Sequence, residues 1–481
     1  MSVNNKHSIK ANALLNVVKQ LCSILFPLIT IPYVTRILQA ENLGKVNFSA
    51  SIVSYFAMIA QMGIANYAIR EGAKLRNNKL QIEEFSNEVF TFNIFTMMIS
   101  YVLMFGFICF CRPIQNYSLL IIIQSATVLF TTIGVDWVNN IFEDFFAITL
   151  RTIIVQIVSL VLMFMFVRNI NDYVIYAIIT VVAQCGAYLF NAFSVRKYVK
   201  IKLTFSIKIL NHLKPILFLF SNNIAMMVYI NSDTTMIGFM VGDSAVAIYY
   251  IATKMYTVIK NIINAIIVVA LPRLSNYVEH NKKAYNELCT TVLTSVLTVL
   301  VPAVVGLFCC SNFIVKIIAG QEFVGGGTAL KILSISLLFA VLGGFNTLCV
   351  VMPNREEKIL LLATSFAAII NIALNFILIP IWSYNGAALT TVIAEAIVAI
   401  ITYISTRKYT NIKISKNVVL SIGIGCVFIA ICCLFIQRTV VNDFLTLVMS
   451  IVTSVIIYGV ALIVFKNPLI MLVKERLFKS V

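Results

Sequence analysis

About fourteen apolar stretches, each long enough to cross a bilayer as a helix, follow one another from Ala13 to Phe465, and no connection between them is long enough to hold a soluble domain. A hydrocarbon core of about 30 Å takes roughly 20 helical residues at about 1.5 Å each. The predicted fold class is therefore an all-α polytopic membrane protein. Spans are expected at 13–38, 45–68, 87–111, 117–138, 145–167, 173–195, 215–240, 245–270, 288–310, 327–352, 358–380, 385–405, 417–436 and 444–465. With 60% hydrophobic and 11% charged residues, the chain as a whole lies in the multi-pass membrane class.

Basic residues gather in alternate connections. One carries Arg70, Lys74, Arg76 and Lys79, the next Arg196, Lys197, Lys200, Lys202, Lys208 and Lys214. Arg273, Lys282 and Lys283 follow, then Arg355 and Lys358, then Arg407, Lys408, Lys413 and Lys416, and at the tail Lys466, Lys474, Arg476 and Lys479. Loops rich in Lys and Arg stay on the cytoplasmic side, so both termini are predicted cytoplasmic, the span count even, and the location the cell membrane. The net charge of +17 is accounted for by these loops and does not call for nucleic acid. The polar start, Met1 to Lys10, runs into the first span with no small-residue cleavage site, so that helix is expected to be uncleaved.

What is missing narrows the chemistry. Eleven cysteines are scattered through the spans without CxxC or His-linked spacing, and read as small apolar residues rather than disulfides or metal ligands. His7, His212 and His280 all lie outside spans, there is no HExxH, and Gly44-Lys45 lacks both the upstream glycine and the following Ser or Thr of a phosphate loop. No cofactor and no metal are expected. A membrane glycan polymerase needs catalytic groups on a long outer loop, and the longest outer connection, Ser311 to Gly326, offers only Lys316 and Glu322.

The residues that matter are charges inside the spans: Lys19, Arg36, Arg151, Lys254 and Lys260 against Asp136, Asp233 and Glu395. A charge in hydrocarbon is costly unless it faces a bundle interior or a wet cavity, which makes each a functional suspect. Several spans also carry polar residues on one helical face: Asn47, Ser51, Ser54 and Gln61 in the second, and Tyr250, Lys254, Thr257, Asn261 and Asn264 in the eighth. Asn12, Asn16, Lys19 and Ser23 stripe the first, Asn222, Tyr229 and Asp233 the seventh, and Thr364, Asn371 and Asn375 the eleventh. One such stripe alone reads as glue between helices; spans one, two, seven and eight together read as the lining of a water-filled cavity.

Spans seven and eight form a hairpin around Gly242 and Asp243, which sets Asp233 and Lys254 at about the same depth near the midplane. Arg36, Lys254, Lys260, Arg151, Asn47 and Asn261 are the expected substrate contacts, with Asp233 and Glu395 in ion-pair or coupling roles. Lys19 and Arg36 lie near membrane faces, where snorkelling is the competing account. Pro27 and Pro32 should bend the first span.

In order along the chain come Ile31-Pro32-Tyr33-Val34-Thr35-Arg36-Ile37-Leu38 with Glu41-Asn42-Leu43-Gly44, and Tyr67-Ala68-Ile69-Arg70-Glu71. Ser232-Asp233-Thr234-Thr235-Met236-Ile237-Gly238, Ala247-Ile248-Tyr249-Tyr250-Ile251-Ala252 and Leu271-Pro272-Arg273-Leu274-Ser275 follow. Last are Leu374-Asn375-Phe376-Ile377-Leu378-Ile379-Pro380 and Gly386-Ala387-Ala388. This series resembles the polysaccharide repeat-unit flippases of the multidrug, oligosaccharidyl-lipid and polysaccharide exporter superfamily, the O-antigen and capsule translocases, over nearly the whole chain. Gln39-Ala40 stands where that family usually shows Gly-Pro. The resemblance implies two six-helix lobes, 1–200 and 201–410, around a central cationic cavity, with 411–481 adding spans thirteen and fourteen and a cytoplasmic tail.

It also implies that a polyprenyl-pyrophosphate-linked oligosaccharide is flipped from the inner to the outer leaflet by alternating access, driven by H+, Na+ or the membrane potential. Membrane lipids and polysaccharide assembly enzymes are the other expected partners. Paired Arg or Lys in a wet cavity replace the hydration of a diphosphate, and five intramembrane bases against three acids favour an anionic cargo. A peptidoglycan-precursor flippase or a cation-coupled drug exporter of the same superfamily is the alternative.

Overall fold

In the computed structural model, residues 9–204 and 212–468 are described. Lys208, Lys474, Arg476, Lys479 and His7, and the side chains of Asn12, Asn16, Lys19, Ser23 and Asn222, lie outside what is described. Every regular element among the described residues is helical. They are α1 (Ile9–Gln61), α2 (Ile64–Leu75), α3 (Lys79–Phe110), α4 (Arg112–Gln115), α5 (Ser118–Gly134), α6 (Asp136–Ile141), α7 (Phe145–Phe166) and α8 (Tyr173–Ser194). The series continues with α9 (Leu213–Met240), α10 (Asp243–His280), α11 (Lys282–Ala319), α12 (Gly326–Phe345), α13 (Glu357–Thr406), α14 (Lys416–Thr439) and α15 (Asp443–Val464). Among the described residues ten helices are long and apolar enough to cross a membrane, and Ser118–Gly134 is a shorter apolar one.

Two of the helices are far longer than a bilayer is thick. At about 1.5 Å per residue the 53 residues of α1 would reach about 80 Å, and each of these helices is broken near its middle. In α1 the break is Gln39, at φ 60° and ψ 177°, and in α13 it is Ser383, at φ 52° and ψ −136°. Both conformations are ones that glycine adopts without a Cβ clash. Each break changes the direction of its helix, and two glycines near the breaks lie against backbone. A side chain on Gly386 would run into the Leu378 carbonyl across the α13 break, and one on Gly44 into the Asp243 backbone.

The chain forms two compact units, Met1–Ser244 and Ala245–Val481. In the first, α1 packs against α3, α5, α7 and α9, while α5 and α7 both pack on α8. Helix α9 lies on α1 and belongs to this unit, which runs to Ser244. In the second unit α11 carries α12, α14 and α15, and α12 lies along α13.

At one end of the first unit sits an element that the hydropathy pattern hides. The second expected span stops at Gln61, because Met62 (φ 41°) and Gly63 (φ 74°) turn left-handed and release an amphipathic helix, α2. Its buried face is Ile64, Tyr67, Ala68 and Gly72, and its outer face carries Arg70 and Lys74 of the first basic cluster, with Arg76 just past its end. Those charges are partly tied down: Glu71 accepts from Arg70 at 3.0 Å and Lys74 at 2.6 Å, and Arg76 reaches Glu143 at 2.7 Å. Under α2 lies a core of Phe85, Val89, Trp137, Val138, Ile141, Val195 and Ile216.

The segment after α8 is held by a polar zipper. The backbone N–H groups of Lys200, Lys202 and Thr204 donate to the side chains of Glu83 (3.1 Å), Asn87 (2.7 Å) and Thr91 (3.0 Å) on α3. Four helical residues advance about 6 Å and two extended residues about 6.6 Å, so every fourth α3 side chain meets every second amide. Just beyond, the buried His212 is held between the Tyr67 hydroxyl (2.7 Å, at Nδ1) and Glu88 (3.0 Å, at Nε2). A carboxylate only accepts, so the Nε2 that faces it carries a proton.

Candidate transport residues and their surroundings

The charges of the second unit fall into two kinds. Lys260 on α10 donates to Glu395 on α13 at 2.9 Å, with the Tyr256 ring 5.5 Å away and the Tyr256 hydroxyl donating to the same carboxylate at 3.4 Å. Glu395 is buried and Lys260 half-buried, so this is a desolvated ion pair closed by an aromatic side chain. Lys254, less than two turns nearer the N-terminus of α10, lies over the Tyr250 ring at 5.2 Å, and within its unit no described carboxylate pairs with it. Asn261, on the same helix, is exposed.

In the first unit Arg36 is exposed, and its guanidinium donates to the carbonyl of Pro32, one turn back along α1. Asn47 donates to the Leu43 carbonyl at 2.8 Å, one turn below. Asp233 is buried on α9 within electrostatic reach of Tyr55, whose hydroxyl accepts from Thr235 at 3.3 Å. Arg151 is drawn into a relay that the sequence did not reveal: it donates to Asn191 at 2.6 Å, and the Asn191 amide donates to Asp136 at 2.8 Å.

The structure thus brings together Lys260 with Glu395 and, through Asn191, Arg151 with Asp136. Arg36 and Asn47 are set on α1, Asp233 belongs to the first unit and Lys254 to the second. The stripe on the eleventh expected span closes as glue. Asn371, Asn375 and Thr390 form a buried triangle across the α13 break, with Thr390 donating to Asn375 at 2.5 Å and the two amides meeting at 3.2 Å.

Two cavities accompany these residues. In the first unit a polar pocket of about 140 Å³ opens between Gln61, Asn93, Asp136, Trp137, Asn140 and Tyr188. In the second, a groove of about 480 Å³ is walled by Pro302, Leu307, Ile429, Leu447, Ile451 and Val455, almost wholly apolar, with the Tyr458 hydroxyl turned away to the Thr298 carbonyl at 2.7 Å. Hydropathy alone could not show the groove, since its lining residues look like any other lipid-facing side chains.

Membrane-length helices with charges in their spans and an apolar groove are the build of a membrane transporter. The model of the family described as "Polysaccharide biosynthesis protein" matches residues 9–278, and the chain belongs to that family. It is 22% identical over 396 residues to an Escherichia coli K12 protein named "Putative O-antigen transporter", covering 82% of this chain and 95% of that one. A protein of the same name from Shigella dysenteriae is 23% identical, over 81% of this chain and 98% of its own length. Among solved structures, the lipid II flippase MurJ in an inward closed conformation superposes with a TM-score of 0.74 at 18% identity, over 95% of this chain and all of that one. An inward-facing multidrug resistance MATE transporter of the MOP superfamily gives 0.51 at 15% identity, over 80% and 97%. The fold is therefore the one shared by MurJ and MATE transporters.

Proposed function

We propose that the protein is a flippase carrying a polyprenyl-pyrophosphate-linked oligosaccharide repeat unit from the inner to the outer leaflet of the cytoplasmic membrane by alternating access. The observation that carries this reading is Lys254: a half-buried ammonium inside a membrane helix, set on an aromatic ring, with no described carboxylate of its own unit as partner. Such a charge is tolerated where an anionic ligand completes it, and a diphosphate supplies that charge. The groove in the second unit suits the other end of such a cargo, since its apolar walls match a polyprenyl tail. The names of the Escherichia coli and Shigella relatives favour O-antigen-type glycans as the class.

In this reading the chain crosses fourteen times, as two six-helix lobes and an added pair, because the breaks at Gln39 and Ser383 each divide one long helix into two crossings. Both termini and the basic loops face the cytoplasm. Arg36, Arg151, Lys260, Asn47 and Asn261 assist cargo binding, and Asp233 and Glu395 couple transport to H+ or Na+. Enzymes that assemble and polymerise the repeat unit are the natural partners.

The test is deletion of the gene in its native host. Lipid-linked repeat units should accumulate at the inner leaflet and surface polysaccharide should disappear, with the wild-type gene restoring export and Lys254→Gln failing to. Normal surface polysaccharide in the deletion strain would overturn the assignment.

A further inference from the structure

We propose that the polar pocket of the first unit is a sugar subsite, which takes one neutral pyranose residue; this rests on the lipid-linked glycan reading above. A pyranose ring has an apolar C–H face and a rim of hydroxyls that both donate and accept. Ile64, Ala65 and Ile69, with the edge of the largely buried Trp137 and with Tyr188, border the pocket on its apolar side, and Asp136, Asn140, Asn93, Gln61 and Thr131 bring carboxylate, amide and hydroxyl groups to the other. A few convergent polar groups beside aromatic side chains are how pockets fix the orientation of a small polar ligand. The open space of about 140 Å³ is of the order of a single sugar ring rather than an oligosaccharide.

Two backbone features on the pocket wall point the same way. Gln61 and Ile64 flank the left-handed pair Met62–Gly63, and Asp136 follows Val135 at φ 40° and ψ 41°, an outlying conformation for a β-branched residue. Strained backbone of this kind persists where the surroundings hold it and concentrates at ligand sites. The carboxylate is also fixed in orientation: Asn191 donates to Oδ1 of Asp136 at 2.8 Å, and the Asn140 amide donates to Oδ2 at 3.4 Å and to the Asp136 backbone carbonyl at 3.0 Å. A ligand meeting a positioned acceptor loses less freedom on binding.

Charge selects the class. Asp136 disfavours a phosphate or a uronic acid, and Arg151, one amide away through Asn191, offsets its field. A neutral hydroxylated ring fits this balance better than either an anion or a bare cation. The cargo diphosphate therefore binds elsewhere, and the first unit reads the glycan.

The two tryptophans make the test direct, because Trp382→Phe leaves Trp137 as the sole reporter. The full-length Trp382→Phe protein in nanodiscs is titrated with glucose, galactose, N-acetylglucosamine and N-acetylgalactosamine, and separately with sorbitol and with NaCl. At least one cyclic sugar should give a saturable change in Trp137 emission in the millimolar range, and sorbitol and NaCl none. Asn140→Ala and Asn93→Ala should each weaken that response about tenfold or more while keeping the thermal unfolding midpoint, so that loss of binding is separated from loss of fold. Saturation by no cyclic sugar, an equal response to sorbitol, a response to NaCl alone, or unchanged binding in both variants would overturn the proposal. Repeat-unit export is measured in cells with the same variants. Export without any sugar response sinks the pocket and leaves the flippase; a sugar response in a protein that exports no repeat unit keeps the pocket and removes the flippase.

Discussion

Lys254 and Lys260 sit six residues apart on one helix and should answer neutralisation in opposite ways. Lys260 is bonded to Glu395, so Lys260→Gln leaves a buried carboxylate without its counter-charge, a loss of about 3 to 5 kcal/mol for a desolvated pair. Thermal unfolding of the detergent-solubilised protein should fall for Lys260→Gln and for Glu395→Gln, and recover in the double variant. Additive losses would show that the pair is not coupled. Lys254→Gln removes a charge that no described carboxylate of its unit compensates, so the protein should remain as stable as wild type while export falls. The list of intramembrane charges could be read from composition and spacing; the pairing of Lys260 with Glu395 could not. They are 135 residues apart on helices whose mutual rotation no local pattern records. Arg151 was singled out for its charge, and its use as a prop for Asn191 and Asp136 was equally invisible.

Among the elements, the two broken helices place the sharpest demand on local sequence. Gln39 holds φ 60° and ψ 177°, a region essentially reserved for glycine, at the position where the flippases it resembles usually carry Gly-Pro. Gln39→Gly should therefore stabilise the protein by relieving about 1 to 3 kcal/mol of strain, seen as a higher thermal midpoint, while Gln39→Val lowers the midpoint. Equal midpoints for all three would mean that the backbone at this turn is not held as described. The zipper between α3 and residues 200–204 should give smaller effects. Asn87→Ala removes one acceptor and is expected to cost about 1 kcal/mol, seen as faster amide exchange at Lys202. Unchanged exchange would rule the contact out.

Helix α2 shows why element boundaries are hard to read here. Ile64 to Ala68 continues the apolar run of the preceding span, so hydropathy carries that span to residue 68, although the chain turns left-handed at Met62–Gly63 and lays the next helix on Phe85 and Trp137. The glycine was the only local sign. The partners of α2 come from α3 and α6, which a window along the chain does not see.

At the scale of the whole molecule, the all-α multi-pass architecture was legible because each long apolar run must satisfy its backbone within lipid, and a helix does so locally. The groove and the polar pocket were not legible, because each is made of side chains from several helices. Orientation is open to a direct check. In a variant with its native cysteines replaced, an impermeant thiol reagent applied to intact cells should label cysteines placed at Asp243 or Ser383 and miss one at Lys200. Labelling at Lys200 would reverse the topology.

Reconstitution measures the transbilayer movement of a lipid-linked glycan directly. Purified protein in liposomes loaded with polyprenyl-pyrophosphate-linked repeat units should make the inner-leaflet glycan accessible to an added lectin or glycosidase, faster when a proton or sodium gradient is imposed, and Lys254→Gln should abolish this while inserting normally. Glycan that stays protected with folded wild-type protein present, under either gradient, would contradict the account.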